Sequence, residues 1–236
     1  IKITLLESIF KSDFNLKNSQ VNLTKSNFKN KNLNFYFDSL ISYKPYFSIN
    51  SNIEISNFNK VLFKNFDLER LLIYKDIIRK FNGENLIKYK SKKFSRDFIK
   101  DFSLKINLTN GRLSFNNISN INGGNSNCSG ETSLVDEYPR LLFDCSLNIP
   151  SKRKLFKMLS IKNNFKDEKI TLKLKGSINI LNNKINFDLI KSNDDKPFSE
   201  KDIQYLKTVL EKNLIDEGFF KIFSKKKVKE FLTELI

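Results

Sequence analysis

The residues with the most specific chemistry in this chain are its two cysteines, Cys128 and Cys145, which invite two readings, a disulfide or a metal site. Histidine is absent, and with it the commonest acid-base group and metal ligand. Two cysteines without histidine do not make a zinc site. The Gly123-Gly124 pair lacks the spacing and the lysine of a phosphate-binding loop. Neighbouring carboxylates such as Asp194, Asp195 and Glu200 sit in a polar segment and read as solvated surface charge. The sequence therefore predicts no enzyme, no metal and no cofactor.

A formal net charge of +16 directs attention to nucleic acid, an anionic membrane surface or an acidic partner. Basic runs occur at Lys152, Arg153 and Lys154 and again from Lys225 to Lys227, but no nucleic-acid-binding motif surrounds them. Composition offers a second source for the charge. The chain has no alanine, histidine or tryptophan and is rich in Lys, Asn, Ile and Phe, the set an AT-rich genome favours. The sequons at Asn22, Asn107, Asn117 and Asn127 follow from the same asparagine abundance. No apolar run reaches the roughly 18 residues of a membrane-spanning helix, and no signal-peptide pattern occurs. The chain opens on Ile1 and its one methionine is Met158, so it reads as part of a longer polypeptide.

The elements that must carry these residues are strands. Phe14, Leu16, Val21 and Leu23, then Leu33, Phe35 and Phe37, then Phe47, Ile49, Ile53 and Ile55 alternate with polar residues, which puts one apolar face on a sheet. From Asn65 the period changes. Leu68, Leu71, Leu72, Ile78 and Phe81 predict a helix of about four turns, with Asp67 near its start and Gly83 as its terminator. The basic stretch from Glu84 to Asp101 reads as a second helix, a loop or both. Alternation resumes at Phe102 to Leu108, turns at Asn110-Gly111 and returns through Leu113 and Phe115. A strand through Cys128, a turn near Asp136-Glu137 and a strand from Leu141 to Ile149 come next, then a short helix from Ser151 to Leu159. Two more strands, at Ile170 to Ile180 and Ile185 to Leu189, precede helices near Ser199 to Leu214 and Ser224 to Leu235, with Ser199 and Asp202 forming a weak capping signal.

Part of this order occurs twice. Subtracting 94 overlays Pro139 on Pro45, Leu141 on Phe47, Phe143 on Ile49, Leu147 on Ile53, Ile149 on Ile55 and Leu155 on Val61. Subtracting 92 overlays Ile106 on Phe14, Leu108 on Leu16, Asn110 on Asn18, Leu113 on Val21 and Phe115 on Leu23. The pattern divides the chain into a first strand and helix unit at 1–100, a second at 101–198 and a helical segment at 199–236, with the two units forming one sheet.

The turn near Asp136-Glu137 also fixes a register. Pairing Thr132 with Leu141 sets Gly130 opposite Phe143 and Cys128 opposite Cys145, where directly opposed antiparallel residues approach disulfide separation. Two small buried thiols fit the same register. The fold class is mainly β with α: repeated antiparallel strands in an elongated, curved sheet or groove, with flanking helices. A sheet with one long apolar face must cover it. A closed β-sandwich would use the 23 phenylalanines internally, as a scaffold or adhesion module without ligand, whereas an uncovered remainder would be a binding groove.

The segments INLTNGRLSFNNIS (106–119), GGNSNCSGETSL (123–134) and YPRLLFDCSLNIPSKRKLFKML (138–159) resemble the AsmA-like C-terminal region: a strand pair around an Asn-Gly turn, a glycine-containing strand, and a strand opening after a proline. KPYFSINSNIEISNFNKVLFKNFDLERLL (44–72) looks like the same family's strand running into a leucine-rich helix. The resemblance spans Phe14 to Leu189. AsmA-like proteins, related to the TamB group, are tethered to the Gram-negative inner membrane by an N-terminal helix and project repeated β-structure into the periplasm. Their apolar groove is implicated in phospholipid transport and outer-membrane assembly.

The resemblance therefore implies a periplasmic protein whose partner is a phospholipid or other acyl-chain lipid, with no specific nucleic acid. The tether would lie upstream of Ile1, since this chain lacks it. The groove candidates are Phe35, Phe37, Phe47, Ile49, Ile53, Phe115, Leu141, Phe143 and Leu147. A periplasmic location would favour the Cys128–Cys145 bridge.

Overall fold

The computed structural model describes residues 1–59, 72–92, 98–161, 167–182, 184–192, 199–210 and 229. The alternating segments form one twelve-stranded sheet in which spatial order follows chain order. Its strands are β1 (Lys2–Leu5), β2 (Ser8–Lys17), β3 (Gln20–Lys29), β4 (Leu33–Ser42), β5 (Ser48–Phe58) and β6 (Gly83–Lys90). They continue as β7 (Ile99–Thr109), β8 (Arg112–Ile121), β9 (Gly124–Ser133), β10 (Arg140–Ile149), β11 (Ile170–Asn179) and β12 (Ile185–Lys191). The described helices are α1 (Lys75–Ile78), α2 (Lys152–Leu159) and α3 (Glu200–Leu210). Among the described residues there is no second sheet, so the sandwich expectation is not met.

The all-antiparallel expectation is corrected at one joint. β5 and β6 run parallel, with Ile53 opposite Ile87. A parallel pair needs a connection that returns along the strand length, and the chain from Asn59 to Asn82 supplies it. Of the helix expected from Asn65, the part before Leu72 lies outside the described residues, and the remainder ends near Lys80. Gly83 does not terminate that helix. It opens β6 at φ +143°, where a Cβ would fall on the Ile49 carbonyl. The stretch from Glu84, expected as helix or loop, begins as β6: Asn85, Ile87 and Tyr89 share the face of Ile53, while Glu84, Lys88 and Lys90 take the other. β1 was not signalled by alternation that begins at Phe14.

Three hairpins close with two residues at positive φ, Leu6-Glu7, Asn18-Ser19 and Asn110-Gly111, which is the turn whose twist matches that of paired strands. The second and third overlay at the offset of 92. Their strands hold equivalent registers, Phe14 opposite Leu23 and Ile106 opposite Phe115. The two four-strand meanders β2–β5 and β7–β10 thus repeat the same order within one sheet. They diverge afterwards, since β6 is parallel to β5 whereas β11 is antiparallel to β10.

Residues paired across strands share a face. One row can be followed through Phe14, Leu23, Ser39, Ser51, Asn85, Ile106, Phe115, Gly130, Phe143, Gly176 and Phe187. Two β-bulges keep that face apolar. In β3 the register shifts between Leu23 and Ser26, where Lys25 has φ +50° and its N–H donates to Asp38 Oδ1 at 2.9 Å. In β5 an extra residue at Ser56 separates Ile55 from Phe58. Each extra residue reverses the alternation, so Phe28 and Phe58 stay beside Phe35 and Tyr89 rather than crossing to the polar side.

Every fully buried apolar side chain among the described residues lies at Ile121 or later. One cluster joins Leu134, Leu141, Ile178, Ile180 and Ile185, with Leu72 and Ile78 from the α1 region packed on it. The other joins Ile149 to Leu155, Phe156 and Leu159 of α2. α2 presents these residues because its apolar positions fall at helical spacing. Ser151 caps it, accepting from the Lys154 N–H at 3.2 Å, and a left-handed Ser160 ends it. At α3 the weak capping signal is realised: Ser199 Oγ donates to Asp202 Oδ2 at 2.6 Å and accepts from the Asp202 N–H at 3.3 Å. The expected last helix lies outside the described residues apart from Lys229, which is helical.

The row through β8–β12 alternates large and absent side chains: Phe115, Gly130, Phe143, Gly176, Phe187. The rings spread over the glycines, so that a Cβ at Gly130 would stand 2.6 Å from Phe115 Cε1 and one at Gly176 would stand 3.0 Å from Phe143 Cζ. Gly130→Val should therefore destabilise the fold by about 1–3 kcal/mol through overpacking. A lowered urea midpoint with an unchanged denaturant slope would register this.

Asp167 packs on the N-terminus of α2. Its carboxylate accepts the Arg153 N–H at 3.1 Å and the Ser151 hydroxyl at 2.9 Å. That backbone bond first, the hydroxyl second and the charges of Arg153 and Lys154 after them hold its pKa below the usual aspartate value. A lowered folded pKa means the contribution is present at neutral pH and is lost as pH falls through the folded value. Asp167→Asn should accordingly melt earlier than the parent at neutral pH and converge with it in acid, as thermal scans across pH would reveal.

Candidate functional site

The apolar face has two regimes. Over β8–β12 it is closed at both ends, by the α1 region at Leu141 and Ile178 and by α2 at Ile149. Over β1–β7 its apolar side chains are half-buried or exposed among the described residues, while Ser12, Ser26 and Ser39 on the same face are buried. Aromatic rings concentrate there. Ring centroids lie 5.2 Å apart for Phe28 and Phe35, 5.5 Å for Phe35 and Phe37, and 5.9 Å for Phe10 and Phe37. The band continues through Phe58 and Tyr89 at 4.8 Å and Tyr89 and Phe102 at 5.6 Å. It follows the row Ile3, Phe10, Phe28, Phe35, Ile55, Tyr89, Phe102, which crosses seven strands and is about 29 Å long at ~4.8 Å per strand.

A second apolar row, Leu16, Val21, Ile41 and Ile49, runs parallel to it. Between the two lies a polar seam. Ser39 and Ser51 are bonded to each other at 2.8 Å, as are Ser12 and Ser26, so their hydroxyls are satisfied without water. Asn85 extends the seam onto β6.

Of the residues singled out in the sequence, Phe35, Phe37, Ile49, Ile53, Phe115, Leu141, Phe143 and Leu147 fall on this single face. The structure does not treat them alike. Among the described residues, Phe35, Phe37, Ile49 and Ile53 belong to the stretch with no helix packed on it, whereas Leu141 is inside the closed cluster, with Phe115 and Phe143 packed against it and Leu147 packed beside α2. Phe47 stands just before β5 at the sheet's end, its ring 4.9 Å from that of Phe81. Sequence reasoning missed Phe10, Phe28, Phe58 and Tyr89. For Phe28 and Phe58 the signal was hidden by the bulges, and for Tyr89 by the unrecognised β6.

Cys128 and Cys145 are directly opposed in the predicted register, with Cα atoms 4.1 Å apart and the two sulfurs within bonding reach. They occupy the apolar face, between Asn117 and Leu174 in their row. The opposite face is polar, and its one ion pair among the described residues joins Lys105 to Glu84 at 2.8 Å. No group of three or more His, Cys, Asp or Glu side chains gathers there or elsewhere in the described residues. No described helix is long and apolar enough to cross a membrane.

Comparison with family models, with curated proteins and with solved structures finds no match for this chain.

In an oxidising compartment the opposed cysteines should form a bridge. Intact mass would then be two hydrogens below that of the reduced protein, and neither thiol would alkylate until reductant is added. Because the bridge closes a span of 17 residues, its reduction should cost about 3 kcal/mol, measured as a urea midpoint shift. Full alkylation of the protein as isolated from such a compartment would contradict the pairing.

Proposed function

We propose that this chain binds the acyl chains of a lipid along the open apolar face of β1–β7 and serves, as an AsmA-like protein would, in moving phospholipid through the periplasm or in outer-membrane assembly. The observation that carries the reading is the aromatic band itself, a half-buried apolar row about 29 Å long with no second sheet packed over it among the described residues. A hydrocarbon core is ~30 Å thick and holds two layers of chains, so each chain needs about 15 Å of apolar length. The band is long enough for that.

Each methylene taken from water would contribute about 0.8 kcal/mol, and the rings offer broad, orientation-tolerant contact. Such binding needs no hydrogen bond to the tail, in keeping with serines that already satisfy one another. Displacement along a row of similar residues would change the contact energy little from strand to strand, which is what transport along a sheet demands. An inner-membrane tether upstream of Ile1 belongs to the same reading.

A fluorescent fatty acid titrated into the protein should show saturable binding that unlabelled phospholipid competes away. Phe35→Asp combined with Phe37→Asp should weaken it at least tenfold, since a carboxylate in the band would have to be desolvated. The same change at Tyr36, on the polar face, should leave binding within twofold. Equal loss at both positions, or no saturable binding by the parent, would contradict the reading.

A further inference from the structure

The two ends of the strands differ. One rim carries the turns at Asn18-Ser19 and Asn110-Gly111, the loops 43–47 and 134–139, and the segment around α1. These pieces are contiguous. The Tyr43 N–H donates to the Ser19 carbonyl at 3.1 Å, Asn82 joins Phe47 to Asn110, and the Leu134 N–H donates to the Gly111 carbonyl at 3.0 Å. Among the described residues, eight of the nineteen exposed large apolar side chains lie on these pieces, and two, Leu5 and Leu6, on the opposite rim.

Four of the chain's seven tyrosines are among the eight: Tyr43, Tyr46, Tyr74 and Tyr138, the last two 55% and 65% exposed. Ile73 and Ile77 stand out from the α1 region, whose Leu72 and Ile78 face the core. Interspersed with them are Lys44, Lys75, Arg79, Lys80, Arg112 and Arg140, none of them ion-paired among the described residues. Among the described residues, the opposite rim presents lysines such as Lys29, Lys31 and Lys92 without exposed aromatic companions.

Tyrosine is the side chain suited to the boundary between hydrocarbon and water, with an apolar ring and a polar tip, and cations beside it are drawn to anionic headgroups. Net positive charge alone would spread binding over both rims. Tyrosines and short aliphatic side chains gathered with cations on one rim make that rim the one able to insert. We infer that the tyrosine rim docks on the surface of an anionic lipid bilayer, with Tyr46, Tyr74 and Tyr138 at the headgroup boundary and Lys44, Arg79 and Arg140 against the lipid charge. The inference does not need the acyl-binding reading. A protein could dock on a bilayer with its apolar face empty.

The test uses vesicles of phosphatidylcholine alone and vesicles mixed with phosphatidylglycerol. The protein should co-sediment with the mixed vesicles, less so at high salt, and far less with the neutral ones. Because the chain has no tryptophan, its emission is tyrosine emission, and brominated lipid should quench it in the mixed vesicles. Lys44→Ala, Arg79→Ala and Arg140→Ala together should weaken association about a hundredfold, at about fivefold per cation. Tyr46→Ser with Tyr138→Ser should abolish most of the quenching. The matched control, Lys29→Ala, Lys31→Ala and Lys92→Ala, should stay within fivefold of the parent, and thermal melts should show that all variants remain folded. Equal loss in the control would mean diffuse charge attraction and would overturn the inference. So would binding without quenching, or no binding by the parent. Fatty acid titration of the same variants should be unchanged, which separates failure of docking from failure of the acyl site.

Discussion

Everything else in the molecule rests on face parity: apolar residues must emerge on the same side of twelve consecutive strands. A strand's side chains alternate, so a single inserted residue would send the rest of that strand's apolar set to the wrong side. The chain meets this in two ways. Most strands keep their apolar set on one side, as β10 does with Leu141, Phe143, Cys145, Leu147 and Ile149, Leu142 alone falling on the other. Where the apolar positions change parity within a strand, as between Leu23 and Phe28 or Ile55 and Phe58, a bulge absorbs the extra residue. The parallel joint at β5 and β6 preserves the face too, since Ile53 meets Ile87 and Ile55 meets Tyr89.

Having one apolar face obliges the protein to cover it, and the described structure does so unequally. Over the later strands, α2 and the α1 region shield the two ends, and the Phe and Gly alternation fills the middle with rings lying over bare backbone. Over the earlier strands the same face is carried by aromatic residues that stay half-buried. The difference comes from the connection that leaves each repeated meander. After β10 the chain forms α2 and folds it back onto Ile149, whereas the connection after β5 delivers Leu72 and Ile78 to the second meander instead of the first. The repeated order therefore yields two similar sets of strands whose described surroundings differ, and in the function proposed here the less covered set would receive the acyl chains.

Much of this was legible in the residues because it depends on local alternation and turn chemistry. The Asn110-Gly111 turn, the Cys128 and Cys145 register, the short helix from Ser151 and the strands from Phe102 to Leu189 all follow from short-range signals. Three things were not. Bulges leave no signature when the extra residue is an ordinary lysine or serine, so Phe28 and Phe58 were left out of the site. β6 is short, basic and interrupted by Leu86 on the polar face, and its parallel pairing depends on a connection of more than twenty residues. Which stretch of the face is covered is a property of where the helices land, and no periodicity in Phe35 or Leu141 distinguishes the open position from the closed one.

The central claim is that the open stretch of this face receives acyl chains. A photoactivatable fatty acid, cross-linked to the protein and mapped by peptide mass spectrometry, tests it most directly. The account predicts labels on the apolar-face residues of β2 to β7, such as Phe28, Phe35, Ile53 and Phe102, with Leu141 and Ile178 unlabelled. Labels confined to the sheet's polar face or to the loops, or none above an excess of unreactive competitor, would contradict it.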